Sequence, residues 1–560
     1  MKHLKLLFGL LVLLVAAVWA PAQPTKQQWV QSTLKSMSLR EQIAQLFVIA
    51  CHPQQSEEHI NKVLETIKNE HLGGIIWGLC SPTRYLNLLN QMQEHANIPL
   101  LVTMDAEWGV AMRLDSVVNF PRQLTMGAIQ DNQLIYDFGA EVARQCRLLG
   151  VHINFAPVVD VNINPNNPVI SMRSFGENKY KVTEKGYACM KGMLDGGLLT
   201  CLKHFPGHGD TDKDSHEELP AILHNKQRLN DVELYPFREL IKRGATGVMT
   251  AHLLVPALSK DHMPASQSKK ISTDLLQKKL KFKGLVITDG LEMRGAIRDG
   301  DPNKVALNAL LAGNDLLEIP PDIPKSIDEI VKAVQNGKVS KRFIQKKCKK
   351  ILETKYDLGL YRGFSPIDPS GIIEKLNTVE AKSLRLQLAA TSLTLLSNQN
   401  VLPLADSDLN YLEIGQGSAF KEQLFRHASI NAFQISPSAT QEQLDSLSAL
   451  LPNTGTVVVG YHNVPRGRSY VNFTIDEPML NFLEELNSRH PVVLLFFANP
   501  YALANFKDLG RFAAVVACYD NSDEAQISAA KAITGAQKFL GKLPVTINPQ
   551  YKENFGLITP

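Results

Sequence analysis

The chain has 560 residues, 44% hydrophobic and 20% charged, which is ordinary globular material with length for more than one core. A formal charge of +4 is too balanced for a protein that neutralises a phosphate backbone, which argues against nucleic acid as a partner. The seven cysteines (Cys51, Cys80, Cys146, Cys189, Cys201, Cys348 and Cys518) lack CxxC spacing and sit mostly in apolar stretches, so neither a disulfide scaffold nor a zinc cluster is indicated.

At the N-terminus, Lys2 and Lys5 precede the apolar run Leu6 to Ala17, and Ala20-Pro21-Ala22 follows. That order reads as a cleaved secretory signal over residues 1–22, which places the mature protein in a periplasm or outside the cell. A buried first helix is the alternative. The apolar run is shorter than the roughly 20 residues that span a bilayer, and no later stretch reaches that length, so the mature chain is not expected to span a membrane.

From residue 30 to about 362, short apolar runs alternate with amphipathic stretches. The strand candidates are Gln45 to Ala50, Gly73 to Trp77, Pro99 to Met104, His152 to Val159, Leu198 to Leu202, Thr246 to Thr250, Gly284 to Thr288 and Asp315 to Ile319. Helical periodicity occupies Ser81 to Ala96, Asn132 to Leu149, Lys179 to Gly196 and Asp231 to Arg243. Eight strands alternating with helices over this length predict an α/β fold, a (β/α)8 TIM-type barrel.

The C-terminal rim of such a barrel is where chemistry is assembled, and polar residues recur at the strand ends. Asp105 ends PLLVTMD, Asp160 ends HINFAPVVD, His204 ends LLTCLKH, His252 ends TGVMTAH and Asp289 ends GLVITD. An isolated Asp of this kind is more often a cap or turn former, whereas five on one rim favour a pocket.

The densest reactive cluster is KHFPGHGDTDKDSH, residues 203–216. It lacks the GK[ST] of a phosphate loop, and Pro220 stands where an HExxH metalloprotease needs its second His. A zinc site from His204, His208 and Asp210 is open on ligand type, as is a solvated loop. Proton transfer is the preferred reading. Asp214 and His216 are two apart, so in an extended segment they point the same way. A carboxylate on one imidazole nitrogen leaves the other free to protonate a leaving oxygen and later deprotonate water. Asp289, followed by Gly290, is placed to meet an electrophilic carbon, or else caps the following helix.

Residues 363–385 read as a linker and helix, and residues 386–560 as a second α/β sandwich domain. Its strand candidates are Tyr411 to Ile414, Thr456 to Tyr461, Val492 to Phe497, Ala513 to Cys518 and Leu543 to Ile547.

These residues carry a family resemblance. MDAEWGVAMRL (104–114), NFPRQLTMGA (119–128), NFAPVVDVN (154–162), NPVISMRSFGEN (167–178), KHFPGHGDTDKDSH (203–216), GVMTAH (247–252), GLVITDGLEMRGA (284–296) and AGNDLLEIP (312–320) resemble, in order, glycoside hydrolase family 3, in its bacterial β-N-acetylglucosaminidase branch. SLTLLSNQNVLPL (392–404) and GKLPVTI (541–547) resemble the family's second domain. The resemblance implies Asp289 as nucleophile, His216 as acid/base and Asp214 as its partner. Asp105, Arg113, Arg173, Lys203 and His204 then hold the hydroxyls of a terminal β-linked N-acetylglucosamine. Retaining double displacement without metal or cofactor is the implied mechanism. Trp108 departs from the family's usual small residue, so it either stacks on sugar or fills the rim. Phosphorolysis, β-glucosidase or β-xylosidase activity, and a non-catalytic glycan-binding protein remain as alternatives. Peptidoglycan fragments are the leading natural substrate, ahead of chitin oligomers and host glycans.

Overall fold

Apolar runs buried on both faces cannot lie at a surface, and here they close on themselves. The computed structural model describes residues 23–215, 217–297, 300–404, 409–426, 430–462 and 474–558. The proposed signal segment and His216 lie outside the described residues. Eight parallel strands, β1 (Phe47–Cys51), β2 (Gly74–Trp77), β3 (Leu101–Met104), β4 (Ile153–Asn154), β5 (Leu199–Phe205), β6 (Gly247–Thr250), β7 (Leu285–Thr288) and β8 (Leu317–Glu318), pair in the order β7-β6-β5-β4-β3-β2-β1-β8. A parallel bridge between Ile287 and Leu316 closes the barrel. The expected (β/α)8 barrel is therefore present.

Local chemistry sets the element ends. Ser81 accepts from the Arg84 N–H and Pro82 opens the helix Pro82–Glu94, while Asp131 and Asn178 cap the helices Asn132–Leu148 and Lys179–Asp195. A side chain at Gly73 would meet the Gln45 carbonyl at 1.9 Å, so only glycine lets β2 enter this close to β1. The fourth strand is shorter than expected, although Phe155 beyond it still donates to the Met104 carbonyl at 2.8 Å. The fifth is longer and carries Lys203 and His204 within it.

A buried ion cluster fastens the last barrel helix, Lys341–Asp357, beneath β7 and β8. Asp315 accepts from Lys347 at 2.6 Å and Lys350 at 2.5 Å, and from the Val286 N–H at 3.0 Å. Burial opposes ionisation of Asp315, but the two ammonium groups outweigh it and hold the carboxyl below its ordinary range.

The second sheet has β9 (Thr394–Asn398), β10 (Leu409–Gly415), β11 (Asn431–Ile435), β12 (Thr456–His462), β13 (Val492–Phe497) and β14 (Ala514–Ala517), ordered β11-β10-β12-β13-β14-β9. All pairs are parallel except β14 with β9. Leu543 to Ile547, expected as a strand, is irregular. It serves as an interdomain contact instead: Thr546 donates to Glu177 at 2.5 Å, and the Glu177 N–H to the Pro544 carbonyl at 3.1 Å. Among the described residues no helix is long and apolar enough to cross a membrane.

Asp315→Asn leaves two lysines without their shared counter-charge, so urea unfolding of the barrel should show a loss of about 3–5 kcal/mol. Adding Lys347→Met should recover part of it.

Candidate active site

Each rim residue follows from where its strand ends. Asp105 follows β3, His252 follows β6, Asp289 follows β7, and Lys203 and His204 lie near the C-terminal end of β5. Asp105, Trp108, Met112, Arg113, Arg173, Lys203, His204, His208, Asp214, Asp289 and Glu318 line one pocket of about 310 Å³. That is the scale of a small-molecule site.

Its polar wall is a continuous chain of charges. Arg113 donates to Asp105 at 2.6 Å, and Lys203 donates to the other Asp105 oxygen at 2.7 Å. Lys203 also pairs with Glu107 at 2.8 Å. Arg173 grips Glu107 with two donors, at 2.9 and 2.6 Å, and its Nη2 lies 3.2 Å from His204 Nε2. His204 Nδ1 lies 2.8 Å from Asp160, which also accepts the backbone N–H groups of His204 at 3.1 Å and His208 at 2.7 Å. Asp160 thus organises the turn that begins the 203–216 loop.

The electrostatics follow from burial against charge. Burial alone would neutralise these carboxyls, yet Lys203 and Arg113 hold Asp105 well below the carboxylate range. Arg173 and Lys203 likewise overcome burial at Glu107 and bring it down to about 2. Lys203, which burial would discharge, is pushed up by Asp105 and Glu107. The wall therefore stays ionised at neutral pH and offers both anionic acceptors and cationic donors to hydroxyls.

The loop itself is fixed by short polar contacts. His208 Nδ1 lies 2.8 Å from Thr211 Oγ1 and Nε2 lies 3.2 Å from Ser215 Oγ, while burial, with His204 adding to it, lowers His208 to about 4. Gly209 packs against the Val161 carbonyl so closely that a Cβ would stand 1.9 Å from it. The zinc reading of His204, His208 and Asp210 does not fit this arrangement, because each is committed to a different neighbour. Asp210 turns away to His224 at 2.7 Å and Arg228 at 3.3 Å. A second group, Asp210, His224 and Glu233, is drawn together around the Arg228 guanidinium, which also donates to Glu233 at 3.0 Å.

Asp289 accepts from the Gly290 N–H at 2.9 Å, and its own N–H donates to the Thr250 carbonyl at 3.0 Å. His252 is a brace. Its ring nitrogens lie 2.8 Å from Ser266 Oγ and 2.9 Å from the Gly290 carbonyl, so it pins the turn after Asp289. The Gly295 N–H reaches the Ser215 carbonyl at 3.2 Å, joining the Asp289 segment to the Asp214 loop. Trp108 lines the pocket with Arg122 packed 4.9 Å over its ring.

The structure thus gathers seven of the eight residues singled out from sequence, and the eighth, His216, lies outside the described residues. Sequence reasoning missed Glu107 and Glu318. Charge balance pointed to the first: Arg113, Arg173 and Lys203 need more than the single anion Asp105 when buried together. The second stands inside the strand candidate Asp315 to Ile319 rather than at its end, so the strand-end pattern did not mark it.

Glu107 has no exposed side-chain surface and acts through Arg173 and Lys203. Its folded value lies below its unfolded one, so its stabilisation is complete above about pH 4.5 and lost as pH falls toward about 2. Thermal unfolding from pH 2 to 7 should show this dependence, on the order of 3 kcal/mol, in the wild type and its loss in Glu107→Gln.

Known proteins place this geometry. Residues 38–354 match the Glycosyl hydrolase family 3 N terminal domain. Beta-hexosaminidase A of Pseudoalteromonas piscicida is 29% identical over 547 residues, covering 86% of this chain and 90% of that protein. Beta-hexosaminidase LpqI of Mycobacterium tuberculosis is 32% identical over 315 residues, 54% of this chain and 79% of its own. The solved family 3 β-N-acetylglucosaminidase of Paenibacillus sp. FPU-7 superposes with a TM-score of 0.79 at 28% identity, covering 91% of this chain and 99% of its own. A barrel matched by the family's domain over residues 38–354, followed by a second sheet that superposes as well, belongs to an enzyme of glycoside hydrolase family 3.

Proposed function

We propose that the chain is an exo-acting, retaining β-N-acetylglucosaminidase that releases terminal β-linked N-acetylglucosamine. The observation that carries this reading is that Asp289 and Asp214 line the same pocket as the charged wall of Asp105, Arg113, Arg173, Lys203 and His204. A pocket with such a wall suits one terminal sugar, held by its hydroxyls. The resemblance to proteins named as hexosaminidases supports the N-acetyl sugar over glucose.

In the proposed mechanism, Asp289 attacks the anomeric carbon as His216 protonates the leaving oxygen. His216, oriented by Asp214, then takes a proton from water, which displaces Asp289 in a second inversion, so that the two steps together retain the anomeric configuration. Asp289 needs a fixed approach, and the braced turn at Gly290 supplies it. Export of the chain, with residues 1–22 as its signal, makes peptidoglycan fragments the natural substrate we favour.

Turnover of an aryl β-N-acetylglucosaminide beside the matching glucoside tests the reading. The N-acetyl sugar should be preferred. Asp289→Ala should lower kcat by about a thousandfold or more and His216→Ala by about a hundredfold or more. Free sugar as product in phosphate buffer supports hydrolysis; sugar 1-phosphate makes the enzyme a phosphorylase, and glucoside preference sinks the N-acetylglucosaminidase reading.

A further inference from the structure

Glu318 is the last residue of β8 and lines the same pocket as Asp105, Lys203 and Asp289. Its backbone is locked to the segment that carries Asp289: the Glu318 N–H donates to Thr288 Oγ1 at 2.9 Å, and its carbonyl accepts from the Leu291 N–H at 2.8 Å. The side chain has no such anchor. The residue is only 4% exposed, and its Oε2 is fully buried with no hydrogen-bond partner among the described residues.

A buried carboxyl oxygen without a partner weakens a fold, because it has surrendered water and received nothing in return. Each such group in a native protein calls for an explanation. Lys203, a cation whose charge acts on Glu318, is already committed to Asp105 and Glu107. An apolar residue would fill the same position at no electrostatic cost.

We propose that Glu318 is a sugar-contacting residue of this site, presenting its carboxyl to a hydroxyl of the bound terminal sugar. The assignment deepens the proposed glycosidase site and rests on that reading. Burial, and then the neighbouring carboxylates Asp105, Asp289 and Glu292, push Glu318 well above the ordinary carboxyl range, against which Lys203 works only weakly. That environment favours the neutral acid, which has an O–H to donate as well as an oxygen that accepts. Asp105 and Asp289 beside it are hydrogen-bond acceptors when ionised. Glu318 thus adds a donor to a wall that already carries these two acceptors. A sugar hydroxyl, which both donates and accepts, is the ligand chemistry that satisfies it.

The test compares wild type, Glu318→Gln, Glu318→Leu and Glu318→Met as full chains, by calorimetric titration of free N-acetylglucosamine, glucose and xylose, with thermal midpoints alongside. Gln keeps a neutral donor and should bind the preferred sugar within about threefold of wild type. Leu and Met should weaken that sugar at least tenfold while leaving the thermal midpoint unchanged or higher, the opposite of what loss of a structural residue produces. Wild-type affinity in a Leu or Met variant that folds overturns the proposal, as does a Gln variant that falls as far as they do. Two apolar variants that both fail to fold make Glu318 structural and overturn it too. Preference for glucose or xylose removes the N-acetylglucosaminidase reading while the role of Glu318 is still read on that sugar; binding of none of the three overturns both.

Discussion

Three cationic side chains converge on one rim of the barrel with little exposure to water, and the site exists only because anions are threaded between them. Glu107 is the centre of that arrangement. It is buried, it is shared by Arg173 and Lys203, and Lys203 passes the connection on to Asp105 and Arg113. Removing water from such charges costs several kcal/mol each, which close pairing and complete hydrogen bonding must offset. Once assembled, the chain of pairs has few alternative arrangements, so the groups that face a ligand are held in place before it arrives.

The second domain supports this rim from the side. The segment carrying Arg173 is held at several points by residues far along the sequence. Asn162 donates to Tyr501 at 3.1 Å, Glu177 takes Thr546, and Leu124, Met172, Tyr501 and Val545 form a small apolar cluster across the junction. A long loop over a barrel mouth is usually mobile. Here its far side is packed and hydrogen-bonded, so the orientation of Arg173 depends on the second domain although none of that domain's described residues lines the pocket.

Much of this was legible in the sequence because it rests on short-range rules. Apolar runs of strand length separated by amphipathic helices announce a barrel, and polar residues closing those runs announce its rim; Asp105, Asp160, His204, His252 and Asp289 were all visible that way. What stayed hidden depends on contacts between distant segments. Nothing local distinguishes Asp289, aimed into the pocket, from His252, whose ring nitrogens are both taken up by Ser266 and Gly290. Glu107 looked like one more residue of a motif until the basic groups around it were counted in space. Leu543 to Ile547 has the pattern of a strand, yet it is spent on holding Glu177, because the second sheet takes Thr394–Asn398 as its antiparallel edge. Pattern reports what can pair; position in the fold decides what does.

The bond from the Gly295 N–H to the Ser215 carbonyl is made by main chain on both sides, and Gly295 leaves no room for a Cβ, with the Ser215 carbonyl 2.8 Å from where one would stand. The spacing between the Asp289 segment and the Asp214 loop is thus written in backbone atoms rather than in side chains. Asp212, Lys213, Glu217 and Glu218, which face outward from the same loop, are free of that duty. Natural drift or deliberate redesign can remodel this outer surface to greet different leaving groups while the distance between the two reactive segments remains as it is.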